Sequence, residues 1–242
     1  MARKADLRNQ RAGTVINKRS KKQESEMGSA LRLVRDALIE KYGATLQVEH
    51  RAEWYLHEIV SDLQGHFPNI PFHHHFNNTS IRPDGGILSI RMRSDDRRFP
   101  ILIAEVKNQG TNDIRAEEGK PKQARGNAIE RLGKNLIGLR TALLNESIFP
   151  FVCFGYGCDF EPSSSILDRV TTMAMFGPLN TTSLYNEGKD GRFNRGSFYF
   201  REAKWTVEEM ARVMSDVATR SVQYYFSRYR EDSFLEKEGR TD

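Results

Sequence analysis

Apolar residues at Leu31, Val34, Leu38 and Tyr42 step by three and four, tracing one face of a helix. A second such stripe, Leu56, Ile59, Val60 and Leu63, stops near Gly65 and Pro68. The pattern then shortens. Strands are expected at Phe72 to Phe76, Ile87 to Met92 and Phe99 to Lys107, with Ser94 to Arg98 turning the last two into a hairpin. The polar, Gly-containing stretch from Asn108 to Lys122 reads as a long loop. A helix follows from Gln123 or Asn127 to Asn145, then a strand at Phe149 to Phe154 and a helix over Ser163 to Met175. Residues 177 to 196, rich in Gly, Asn, Thr and Lys, read as surface loops, and Ser197 to Phe200 as a short strand. Thr206-Val207-Glu208-Glu209 is a capping-box opening to a last helix, whose face carries Val207, Met210, Met214, Val217 and Ser221. Strands joined through helices around a central hairpin predict an α/β fold: a mixed central β-sheet flanked by helices.

The 242 residues can bury one substantial core and do not require two. Residues 1–28 hold many Lys and Arg but almost no large apolar side chains, so they read as a basic flexible arm before a single domain over 29–242. Lys and Arg number 37 against 32 Asp and Glu; the resulting +5 suits a polyanionic partner without proving one. No apolar run reaches the length of a membrane span and no signal-peptide core opens the chain, so a cytoplasmic protein without a membrane partner is expected. Cys153 and Cys158 are the only cysteines and read as buried free thiols. In His73-His74-His75 strand alternation would send the middle ring to the opposite face, which makes a three-ligand metal site geometrically poor.

Candidate chemistry lies in Ser80-Ile81-Arg82-Pro83-Asp84-Gly85-Gly86 and in the strand Ile101-Leu102-Ile103-Ala104-Glu105-Val106-Lys107. Alternation puts Glu105 and Lys107 on one face and Val106 on the other. Asp84, at the mouth of the hairpin, can then meet Glu105 across a cation. Hard carboxylate oxygens suit Mg²⁺, which fills its other positions with water and phosphate oxygens. A metal so held acidifies water and neutralises charge at phosphorus, while Lys107 positions or polarises the attacking water. The implied chemistry is phosphodiester cleavage.

The segment Arg125-Gly126-Asn127-Ala128-Ile129-Glu130-Arg131-Leu132-Gly133-Lys134-Asn135 has two faces. Ile129, Leu132, Leu136, Leu139 and Leu143 point to the core; Asn127, Glu130, Arg131 and Lys134 lie opposite. Such a face ordinarily meets solvent. This set, however, matches the chemistry of base edges: Asn pairs with adenine, Arg contacts purine acceptors, Glu accepts from exocyclic amino groups.

Together these words resemble the EcoRI-type type II restriction endonucleases of the PD-(D/E)XK nuclease superfamily. The resemblance rests on Ser80 to Gly86, on Leu102 to Lys107 with Gln109-Gly110, and on Gly126 to Arg131 with Lys134-Asn135. It continues more weakly through Glu146 to Pro150, Leu167-Asp168-Arg169 and Gly177 to Asn180, covering roughly residues 76 to 180. It implies a homodimer that cuts both strands of a short palindromic double-stranded DNA site with Mg²⁺, and a cognate DNA methyltransferase in the same host. By carry-over, Asp84, Glu105 and the Val106 carbonyl would be metal ligands and Lys107 the catalytic lysine. Asn127, Ala128, Glu130 and Arg131, opening at Gly126, would read an inner AATT; Arg82 and Lys134 would meet phosphates, and Arg169 would lie at the DNA. Arg125 stands where the family pattern has a small residue, and Ile166 where it has an arginine. Both departures fall at the outer base pair, so CAATTG, or AATT with another outer pair, is expected rather than GAATTC, with indifference to the outer pair as the other reading left open. Two alternatives keep the same metal site: a repair or structure-specific nuclease of the superfamily, marked by cutting without sequence preference, and a DNA-binding protein that has lost catalysis, marked by binding without cleavage in Mg²⁺.

Overall fold

The computed structural model describes residues 15–95, 97–108, 110–121, 127–161, 164–176, 193–195 and 197–236. The chain runs α1 (Val15–Tyr42), β1 (Val48–Arg51), β2 (Trp54–Tyr55), α2 (Leu56–His66), β3 (Ser80–Ile81), β4 (Gly86–Arg91), β5 (Arg98–Asn108) and α3 (Gly110–Glu117). It continues through α4 (Asn127–Ala142), β6 (Phe151–Tyr156), α5 (Ser165–Ala174), β7 (Phe193–Arg195), β8 (Phe198–Arg201) and α6 (Val207–Tyr229). Among the described residues six strands form one mixed sheet in the order β1-β4-β5-β6-β8-β7, and β2 pairs with β3 apart from it. The β4–β5 hairpin is antiparallel, and β5, β6 and β8 are parallel. This is the expected α/β arrangement.

The sheet separates two apolar layers. On one side Met27, Leu31, Val34 and Leu38 of α1 and Met210, Met214, Val217 and Tyr225 of α6 cover Leu102, Ala104, Val106 and Phe154. On the other, Leu132, Leu136 and Leu139 of α4 and Ile166 and Val170 of α5 cover Ile87, Ile103, Phe151 and Phe198. Central strands buried on both faces read as continuous apolar runs, as Ile101 to Ala104 do.

Four expectations change. Phe72 to Phe76 is not a strand: Ser80–Ile81 pairs with Trp54–Tyr55 instead, while Phe76 lies 69% exposed, with no buried face to reward extension. Part of the stretch expected as a loop from Asn108 to Lys122 is helical, as α3. The basic segment, expected to be an arm as far as residue 28, is helical from Val15, because Met27 starts the stripe that Leu31 and Val34 continue and is itself fully buried. Of the expected loop region 177–196, Phe193–Arg195 is instead strand β7, held by its antiparallel pairing with β8. Residues 1–14 lie outside the described residues, as do 177–192 and Gly196.

Candidate active site

Glu105 and Lys107 share the face of β5 that Ile103 turns toward α4, and Val106 points into the opposite layer. The turn bearing Asp84 is fastened beside them. Gly85 N donates to Ala104 O at 2.9 Å, and Asp84 N donates to Glu105 Oε2 at 2.9 Å. This approach needs glycine. A Cβ on Gly85 would lie 2.7 Å from Met27 Cγ and 2.9 Å from the Ala104 Cβ. Gly86 has φ of 77°, and a Cβ there would lie 2.6 Å from the Arg51 carbonyl oxygen.

The three expected catalytic residues therefore meet. Lys107 Nζ donates to Asp84 Oδ2 at 2.9 Å and also to Glu105 Oε1. Glu105 is 1% exposed. Burial raises its carboxyl above the ordinary carboxylate value; the Lys107 ammonium opposes that rise and the charge of Asp84 adds to it. For Lys107 burial acts to lower the pKa, but Glu105 and Asp84 outweigh it and hold the ammonium above the ordinary lysine value. Cys153 lies beside Glu105 in the sheet register, and burial keeps its thiol protonated. Cys153 and Cys158 form no disulfide; Cys153 is buried as expected, whereas Cys158 is only partly buried.

The donor set fits a small hard cation. The place where two carboxylates converge already accepts positive charge, that of Lys107. The carbonyl of Val106 points to the same edge of β5 as that of Ala104, toward the Asp84 turn, because backbone direction alternates along a strand. Among the described residues no group of three or more His, Cys, Asp or Glu could hold a metal. His73, His74 and His75 line a groove with Leu56, Phe76, Ile81 and Gly138.

Parallel pairing of β5 with β6 fixes where α4 starts. The connection must return along the sheet, so α4 begins at the end of β5 that carries Glu105 and Lys107. Asn127, Ala128 and Glu130 occupy its first turns, with side chains outside the described residues; Arg125 and Gly126 lie outside them altogether. Arg131 and Lys134 are exposed on α4, Arg82 is exposed before Asp84, and Arg169 is exposed on α5, which packs beside α4. Ile166 is fully buried in the layer beneath. Two supports escaped the sequence reading. His50, on β1, donates from Nε2 to Gly85 O at 2.9 Å, and Met27 backs the same turn. The Gly85-Gly86 pair signals such close approach, but nothing in the sequence says which residues approach.

A family model described as Restriction endonuclease EcoRI matches residues 9–165. The chain belongs to the EcoRI restriction endonuclease family. That match includes Asp84, Glu105, Lys107 and the start of α4 and stops before Arg169. The type II restriction enzyme RsrI of Cereibacter sphaeroides is 34% identical over 180 residues, 60% of this chain and 64% of that protein. This chain thus spans slightly under two thirds of that relative. The type II restriction enzyme EcoRI of Escherichia coli is 28% identical over 239 residues, 84% of this chain and 86% of that one.

Proposed function

We propose that this chain is a type II restriction endonuclease, a Mg²⁺-dependent enzyme that cuts both strands of a short palindromic DNA site with an inner AATT. One observation carries the reading: two carboxylates converge on Lys107 at the end of β5 from which α4 starts. The cutting groups and the start of the helix that would carry the reading groups then lie at one end of the sheet.

Asp84 and Glu105, with the Val106 carbonyl, would hold the cation. When bound, Mg²⁺ supplies an acidified water and charge neutralisation at phosphorus. Lys107, freed from the carboxylates, turns its ammonium to the attacking water or a phosphate oxygen. Asn127, Ala128, Glu130 and Arg131 read the inner bases, while Arg82 and Lys134 hold phosphates and Arg169 lies at the same surface. A homodimer supplies two such sites related as the palindrome's halves are. A host methyltransferase would protect the cell's own sites, in the cytoplasm where incoming DNA is met.

Burial of Ile166 bears on the outer pair. A fully buried isoleucine cannot reach a base edge; the arginine at position 125 is the proposed reader of the outer pair, which favours CAATTG. The test is cutting of duplexes that share AATT and differ only outside it. CAATTG should be cut faster than the others; cutting of GAATTC alone would refute the assignment to Arg125. Equal cutting of every duplex, including those without AATT, would favour a structure-specific nuclease.

A further inference from the structure

α3 contains few apolar residues, so hydrophobic burial does not explain why it docks. Two polar contacts do. Asn112 Nδ2 donates to Asp159 Oδ2 at 2.6 Å, and both residues are buried. Next to it, Asp113 Oδ1 accepts from Cys158 N at 2.8 Å. Both partners belong to the 3₁₀ turn Cys158–Phe160 that follows β6. Gly157, just before that turn, has φ of 107°, and a Cβ there would lie 2.8 Å from Asp113 Oδ1. The backbone is bare where the carboxylate lies.

The position of this bracket matters. Lys107 and Asn108 pair with Gly155 and Tyr156, so α3 ties together the ends of β5 and β6 immediately beyond the catalytic lysine. In the sequence Arg125 comes eight positions after the last residue of α3, and α4 starts two positions after Arg125. Placing an amide and a carboxylate in the interior costs desolvation that only well-made hydrogen bonds offset. An apolar pair would anchor a helix without that cost, but it would not fix one geometry. Neither residue is exposed enough to touch DNA.

We propose that Asn112 and Asp159 are a positioning pair: they lock α3 to the turn after β6 and so set how the chain passes from the cutting strand to the reading helix. The inference rests on the restriction-enzyme reading above. It makes the pair a determinant of how tightly cutting is tied to base reading.

The experiment is single-turnover cutting with Mg²⁺ of a CAATTG duplex and of duplexes altered by one base pair, with melting midpoints measured alongside. Asn112→Asp sets two carboxylates face to face and should slow cutting about 100-fold, the scale of a slight misplacement of reacting groups. It should also narrow the preference for the correct duplex. Asp159→Asn keeps an acceptor oxygen and should change little. The double variant exchanges amide and carboxylate and should recover most of the rate and preference, a rescue that a general drop in stability does not produce. If Asn112→Asp does not fold, the double variant carries the test, and its failure to fold or cut while Asp159→Asn cuts normally would overturn the pair. Wild-type rate and preference in Asn112→Asp would overturn it as well. A wild-type protein that cuts none of the duplexes overturns the restriction-enzyme reading instead, and the inference falls with it.

Discussion

Lys107 balances two acids that would otherwise repel one another, one of them buried. Replacing it with alanine leaves Glu105 without its cation beside Asp84. A sealed pair broken in this way costs roughly 3–5 kcal/mol. Asp84 and Lys107 are partly open to water, so a cost of about 2 kcal/mol is expected for Lys107→Ala without metal. Mg²⁺ should raise the melting midpoint of Lys107→Ala more than that of the wild type, because the cation no longer competes with an ammonium. Equal shifts in calorimetry would show that the cation does not bind between these carboxylates. The pH dependence has a definite sign. Glu105 holds its proton more tightly in the fold than in the unfolded chain. In the metal-free protein its contribution to stability is therefore full below the ordinary carboxylate range and is lost as pH rises through the raised folded value. Much of this residue-level arrangement was legible in the sequence: strand alternation places Glu105 with Lys107, and Pro83-Asp84-Gly85-Gly86 announces a turn. His50 was not, because its contact with Gly85 comes from strand pairing of β1 with β4, a non-local fact.

Among the elements, α6 is the one whose start the sequence declares. Thr206 Oγ1 accepts from Glu209 N, and Glu209 Oε2 accepts from Thr206 N. Glu209 also receives the guanidinium of Arg201, which stacks 3.8 Å from the Trp205 ring. Thr206→Ala should cost about 1 kcal/mol and lower the melting midpoint by roughly 2–4 °C. Cutting should stay at the wild-type rate, since α6 covers the face of the sheet turned away from Glu105 and Lys107. A drop in cutting larger than the drop in folded protein would contradict that separation. Helices with a stripe, α1, α2, α4 and α6, were readable because 3.6-residue periodicity is a burial signal. α3 has no stripe and is held by Asn112 and Asp113, so periodicity could not find it. Phe72 to Phe76 erred the other way: two aromatics flank three histidines like a strand, but no sheet edge receives them.

For the whole molecule, charge is distributed unevenly. Residues 1–28 hold eight Lys or Arg against three Asp or Glu, an excess equal to the +5 of the entire chain, so the remainder is neutral. Four of those basic residues, against one acid, precede α1. Removing residues 2–14 should flatten the dependence of DNA binding on salt, by up to about 0.9 in log–log slope for each phosphate the segment neutralises. An unchanged slope would mean that this segment does not meet phosphate. Net charge alone is compatible with any polyanion; the proposed reading assigns its cutting to the site at the end of β5 and the start of α4. The measurement that tests that claim most directly is digestion of unmethylated phage DNA with Mg²⁺ by the wild type and by Glu105→Gln, with sequencing of the fragment ends and a parallel binding assay. The account predicts discrete wild-type fragments ending at one AATT-containing palindrome, and a Glu105→Gln variant that binds that site without cutting it. A smear of ends, or near-normal cutting by Glu105→Gln, would contradict it.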